Sequence, residues 1–141
     1  MEHYKLANSV IEMLLSGNDP IFDLLKKQYQ SAKIIKEEAG SVGFYIDYDT
    51  STAEQLSSNY KCSFQFGDVD GDIGEVKNAV GFILYIRNGY LSTLEGYTNT
   101  IDVWPDNDSN ISLHYEAKGG RNYETLKRKC LSISTKNEPQ R

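Results

Sequence analysis

One dipeptide limits what this chain can fold into more than any other feature: Asn88-Gly89, set between Val80-Gly81-Phe82-Ile83-Leu84-Tyr85-Ile86-Arg87 and Tyr90-Leu91-Ser92-Thr93-Leu94-Glu95-Gly96-Tyr97. Asn-Gly supplies the two positive φ angles of a type I′ turn, and the twist of that turn matches the twist of paired strands. The sequence therefore predicts an antiparallel hairpin pairing residues 80–87 with 90–97. The first arm is a nearly continuous apolar run, the mark of a strand buried on both faces, so the hairpin belongs at the centre of its sheet.

Before the hairpin the hydrophobic period is close to four. Leu6, Val10, Met13 and Leu14 fall on one face of a helix over residues 4–16, and Gly17 is a natural stop. In Asn18-Asp19-Pro20, the aspartate can cap free amides and the proline suits a first helical turn, having a preset φ and no amide to satisfy. A second helix is expected over 20–31, with Ile21, Leu24, Leu25 and Gln28 or Tyr29 inward.

The period then drops to two. Residues 32–39 and 42–48 read as strands around Gly40, 62–67 as a third, and 111–116 as another after a Pro105–Asn110 turn, while 49–60 is a polar loop. The expected fold is α+β: two N-terminal helices packed on a mainly antiparallel sheet with the hairpin in its centre. No repeat or linker interrupts the 141 residues, so 1–141 reads as a single domain, with a frayed tail from Glu138.

Charge narrows the partners. Residues 42–116 hold twelve Asp or Glu against three Lys or Arg. An acidic centre disfavours nucleic acid, whose binding is driven by cations, and favours a basic protein. The basic segment Lys118, Arg121, Lys127, Arg128 and Lys129 reads as a solvated face. The first residues lack the basic start and long apolar run of a signal peptide, and no stretch is apolar enough to span a membrane, so the expectation is a cytoplasmic protein. In a reducing cytoplasm Cys62 and Cys130 would be thiols.

Catalytic and metal constellations are not legible. Counted from Asp68, a calcium loop would need Gly at its sixth position and Glu at its twelfth, and these hold Ile73 and Ala79. The run from Gly67 to Glu75 reads instead as a solvated turn. His3 and His114 have no second ligand nearby in sequence, so no metal and no cofactor is expected. Glu95 and Glu116 on neighbouring strands would make an acid–base pair, though cross-strand surface charge explains them equally. The remaining functional signal is aromatic residues among acids, as protein interfaces use them. The candidate partner-binding residues are Asp68, Asp70, Asp72, Glu75, Glu95, Tyr97, Asp102, Trp104 and Asp106, with Trp104 beside Pro105 also read as a cap on the core.

The segments Asn18-Asp19-Pro20 before Leu24-Leu25-Lys26-Lys27-Gln28-Tyr29, Val42-Gly43-Phe44-Tyr45, Gly67-Asp68-Val69, the hairpin from Gly81 to Ser92, Leu94-Glu95-Gly96-Tyr97-Thr98 and Trp104-Pro105 together resemble a family of small bacterial proteins of undetermined biochemical role. Some of its members look like immunity proteins encoded with polymorphic or contact-dependent toxins. The resemblance implies an α+β fold and neutralisation of a cognate toxin domain, cationic and possibly a nuclease, in contact-dependent growth inhibition. It carries over no catalytic residue. The expectation is thus a bacterial, non-enzymatic protein that binds another protein and neither nucleic acid nor membrane. The alternatives are a small enzyme or ligand-binding domain with a pocket between helices and sheet, and an adaptor with no toxin.

Overall fold

The computed structural model describes residues 3–17, 19–56 and 62–116. The chain runs α1 (Tyr4–Leu14), α2 (Pro20–Gln30), β1 (Lys33–Gly40), β2 (Gly43–Asp49), β3 (Phe64–Phe66), β4 (Val69–Ile73), β5 (Val76–Arg87), β6 (Tyr90–Thr98), a 3-10 turn (Asp108–Asn110) and β7 (Ile111–Tyr115). The seven described strands form one sheet in the order β1-β2-β6-β5-β4-β7, with β3 also paired to β5, and every pairing is antiparallel. This is an α+β fold in which the helices precede the sheet.

The hairpin forms as its turn demands. φ is 52° at Asn88 and 79° at Gly89, Arg87 lies opposite Tyr90, and β5 and β6 are the two central strands. Between Tyr85 and Ile86 the register slips and leaves Ser92 unpaired, so Leu84 meets Leu94 and Val80 meets Thr98. Such a bulge adds one residue to one strand and shifts every pair beyond it. Gln28 of α2 clamps the turn from inside. It is fully buried, accepts the Leu91 N–H at 2.7 Å, and donates to the Gly89 and Glu54 carbonyls, each at 2.9 Å.

The acidic run departs from expectation. Residues 69–73 are not a solvated turn but strand β4, bonded to β5 on one side and β7 on the other. Asp and Gly are depleted in strands, which hides it. Yet Val69 and Gly71 are buried while Asp70 and Asp72 point the other way, a period of two. β5 consequently begins at Val76, earlier than the apolar run alone indicates.

Helix α1 buries Leu6, Ala7, Val10, Ile11 and Leu14, so Ile11 rather than Met13 completes its inner stripe; α2 buries Phe22, Leu25 and Gln28. Asp19 caps α2, accepting the Ile21 N–H at 3.0 Å. These side chains cover one face of the sheet, packing with Phe44 and Ile46 of β2, Phe82, Leu84 and Ile86 of β5, and Leu91 and Leu94 of β6. Each large apolar side chain fully buried there stabilises the fold by about 1.5–3 kcal/mol. Cys62 corrects a second expectation: it is buried and disulfide-bonded rather than a thiol. The chain's other cysteine, Cys130, lies outside the described residues, as do the basic segment from Lys118 and the tail from Glu138. No described helix is long and apolar enough to cross a membrane.

Candidate functional site

No described helix lies on the opposite face of the sheet, and alternation decides what it carries. Residues one position along from the core side chains point outward, and the register arranges them in rows. One row crosses Glu38, Tyr45, Glu95 and Ile83; the next, Lys36, Asp47, Thr93 and Tyr85; a third, Tyr97, Gly81, Asp70 and His114.

Glu95 is the hub. Its two carboxylate oxygens accept from the Tyr45 hydroxyl at 3.0 Å and the Tyr85 hydroxyl at 2.6 Å. Losing either phenolic proton would bring a second negative charge against the carboxylate, so both phenols titrate above their ordinary range, Tyr85 at about 12. In the adjacent row Arg87 donates to Thr93 at 2.7 Å and Thr93 donates to Asp47 at 2.7 Å, while the Arg87 guanidinium lies 4.9 Å from the centre of the Tyr85 ring. A guanidinium over a phenol ring is a cation–π contact.

Tyr97 owes its position to a glycine. A Cβ at Gly81 would stand 2.4 Å from its hydroxyl, so the ring lies flat where only glycine leaves room. Burial, then the charges of Asp70, Glu116 and Glu95, raise its pKa. Burial likewise raises the pKa of Asp70.

At the β7 side, Asp72 accepts the Asn78 N–H at 2.8 Å and His114 Nε2 at 2.9 Å, with Lys77 Nζ at 3.5 Å. The Asn78 N–H and the cations hold its carboxyl below the usual range. His114 is raised by its bond to the Tyr115 carbonyl at 3.0 Å and then by Asp72.

Of the nine candidate residues, Asp70, Asp72, Glu95 and Tyr97 share this face, which is open among the described residues, and Asp68 immediately precedes β4 beside Asp70. Glu75 is exposed in the turn between β4 and β5, and Asp102 and Asp106 are exposed on the segment between β6 and the 3-10 turn. Trp104 is in the core. It is 6% exposed, its ring meets Phe44 edge-on at 5.3 Å and Phe82 at 6.2 Å, and its backbone N–H donates to the Ser41 carbonyl at 2.7 Å. It therefore offers no surface to a partner; the reading of Trp104 as a core cap describes it. Glu95 and Glu116 are not on neighbouring strands either, since β5 and β4 lie between β6 and β7.

The sequence reading missed Tyr45, Asp47, Tyr85, Thr93, Arg87 and His114 as members of the site. The available signal was the hairpin register: once Asn88-Gly89 fixes the turn, parity assigns each strand residue to one face. Compared with protein-family models, curated proteins and solved structures, the chain matches none.

Proposed function

We propose that this chain is a non-enzymatic immunity protein whose open sheet face binds a cationic toxin domain. The observation that supports this reading is the tyrosine–carboxylate surface centred on Glu95, flanked by Tyr45 and Tyr85 and bordered by Asp47, Asp70 and Asp72. Tyrosines give contact area with few rotatable bonds, and carboxylates make strong charge-assisted bonds to Lys and Arg. A rigid sheet presents both without reordering on binding, which keeps the entropic cost of association low. The rival reading, a ligand pocket between helices and sheet, has less to stand on: Leu14, Leu25, Phe82, Leu84 and Leu94 are all 0–1% exposed there.

The compartment is a separate question. An immunity protein that meets its toxin in the cytoplasm works in a reducing environment, whereas the Cys62 disulfide is of a kind that persists in an oxidising one. Trapping thiols with an alkylating reagent at the moment of lysis decides between the two. The binding reading is tested by co-expression with the polypeptide encoded beside this gene. The unmodified chain is expected to restore growth, and a chain carrying Asp70→Lys and Glu95→Lys to fail while remaining folded by circular dichroism. Full protection by that variant would remove the open face from the account.

A further inference from the structure

Cys62 is disulfide-bonded and 0% exposed. Its carbonyl accepts the Gly89 N–H at 2.6 Å, and the hydroxyl of Ser63 accepts the Asn88 N–H at 2.8 Å, so it stands beside the hairpin turn, two residues before β3. A sulfur with no exposed surface cannot meet a cysteine of another molecule while the chain is folded. Its partner therefore lies in the same chain, whose one other cysteine is Cys130.

The sheet says where such a bond brings the chain. β3 and β4 pair with the same strand, β5, with Phe64 opposite Ile86 and Asp70 opposite Gly81. β7 flanks β4, ends with Tyr115 opposite Val69, and is followed by the Glu116 N–H bonded to the Asp68 carbonyl at 2.9 Å. At that point the chain is heading along the outer side of β3 toward Cys62. Fourteen residues, 117–130, lead from there to Cys130. Extended, they reach about 46–50 Å, whereas the six residues from Asp68 back to Cys62 span about 20 Å as a strand. Reach is ample. β3 itself is three residues long and brings two rings to the margin of the core: Phe64 and Phe66 are each 9% exposed, and Phe66 meets Phe22 of α2 edge-on at 5.7 Å.

We propose that Cys62 is joined to Cys130 and that the segment leading to Cys130 is docked along the outer side of β3, where the bond acts as a redox-controlled clasp on the margin of the core. Closing the bond takes two electrons and two protons from the two thiols. They pass to a second disulfide, that of oxidised glutathione or of a disulfide-exchange protein, and a dithiol returns them. Once opened, the segment is attached at Glu116 alone and the outer side of β3 loses its cover. This proposal does not depend on the toxin reading, because it concerns the margin of the core and not the open face.

The test uses the purified full-length chain, oxidised in a glutathione redox buffer and alkylated before digestion. Trypsin is expected to release residues 62–77 linked to residues 130–136, a pair that separates on reduction, from a chain that runs as a monomer without reductant. Hydrogen exchange then reads the docking. In Cys130→Ser, or when dithiothreitol is added to the native unmodified chain, exchange at the amides of 62–68 is expected to rise about tenfold or more, while the β5–β6 hairpin stays protected. The melting temperature is expected to fall by about 5–15 °C on loss of the bond. The dithiothreitol arm needs no variant, so it decides the matter even where Cys130→Ser does not fold. A dimer linked through Cys62, cysteines left free or capped by glutathione, or exchange at 62–68 unchanged after reduction would overturn the proposal.

Discussion

On one side of β2, β5 and β6, Phe44, Ile46, Phe82, Leu84 and Leu94 lie under α1 and α2 with at most 1% of their surface exposed. On the other side of the same strands, one residue along, are Tyr45, Asp47, Tyr85, Thr93 and Glu95, joined by hydroxyl–carboxylate bonds, with Tyr97 on the same face. Each strand position thus serves one face only. Two glycines show the same division: the Phe44 ring lies where a Cβ at Gly96 would be, on the covered face, and the Tyr97 ring lies where a Cβ at Gly81 would be, on the open one. Stability and binding should therefore respond to different substitutions.

The largest effect should come from the covered face. Phe82→Ala removes a fully buried ring between the helices and the sheet, and urea unfolding is expected to show a loss of about 3–5 kcal/mol. A loss below about 1 kcal/mol would mean that this face is not the core. Gln28→Leu comes next, because it strips the Leu91 N–H and the Gly89 and Glu54 carbonyls of their buried partner; about 1–3 kcal/mol is expected from the same assay.

The open face should register in pH dependence before it registers in stability at neutral pH. His114 binds its proton more tightly in the folded chain, so its contribution is full below its unfolded pKa and is lost as pH rises through the raised folded value. Asp72 is the reverse, contributing above its unfolded pKa and losing that contribution as pH falls through the lowered folded value. Replacing His114 with Asn should flatten the alkaline side of a melting-temperature profile and weaken the acid limb through loss of the Asp72 partner. An alkaline side unchanged by the substitution would contradict the geometry. The smallest stability effect should be that of Glu95→Gln, within about 0.5 kcal/mol of the parent. Its signature is spectroscopic, since the Tyr45 and Tyr85 phenols should titrate closer to their ordinary range in an alkaline absorbance titration.

How much of this was legible in the sequence follows the same division. The hairpin, both helices and the α+β class could be read because Asn88-Gly89, Asp19-Pro20 and the apolar spacing act locally. β4 could not, because Asp70, Gly71 and Asp72 are poor strand formers held in place by pairing to β5 on one side and, on the other, to β7, which is remote in sequence. Trp104 looked like an interface residue because acids flank it, yet the loop turns its ring inward onto Phe44. The cluster around Glu95 went unseen because Tyr45 and Tyr85 come from different strands and meet it only through the sheet register. The Cys62 disulfide likewise needed long-range structure.

The most direct test of the division sets two acidic regions against each other. Asp70→Lys with Glu95→Lys reverses charge on the open face, and Asp102→Lys with Asp106→Lys reverses the same amount of charge on the exposed loop. Association of each variant with the proposed partner, the polypeptide encoded beside this gene, would be timed by stopped flow at low and high salt. The account predicts that the loop variant loses only a salt-sensitive part of its association rate and keeps its dissociation rate, as rim charges do, while the open-face variant also dissociates much faster at both salts. If the loop variant is the one that dissociates faster, or if both variants dissociate at the parent's rate, the open face is not where the partner binds.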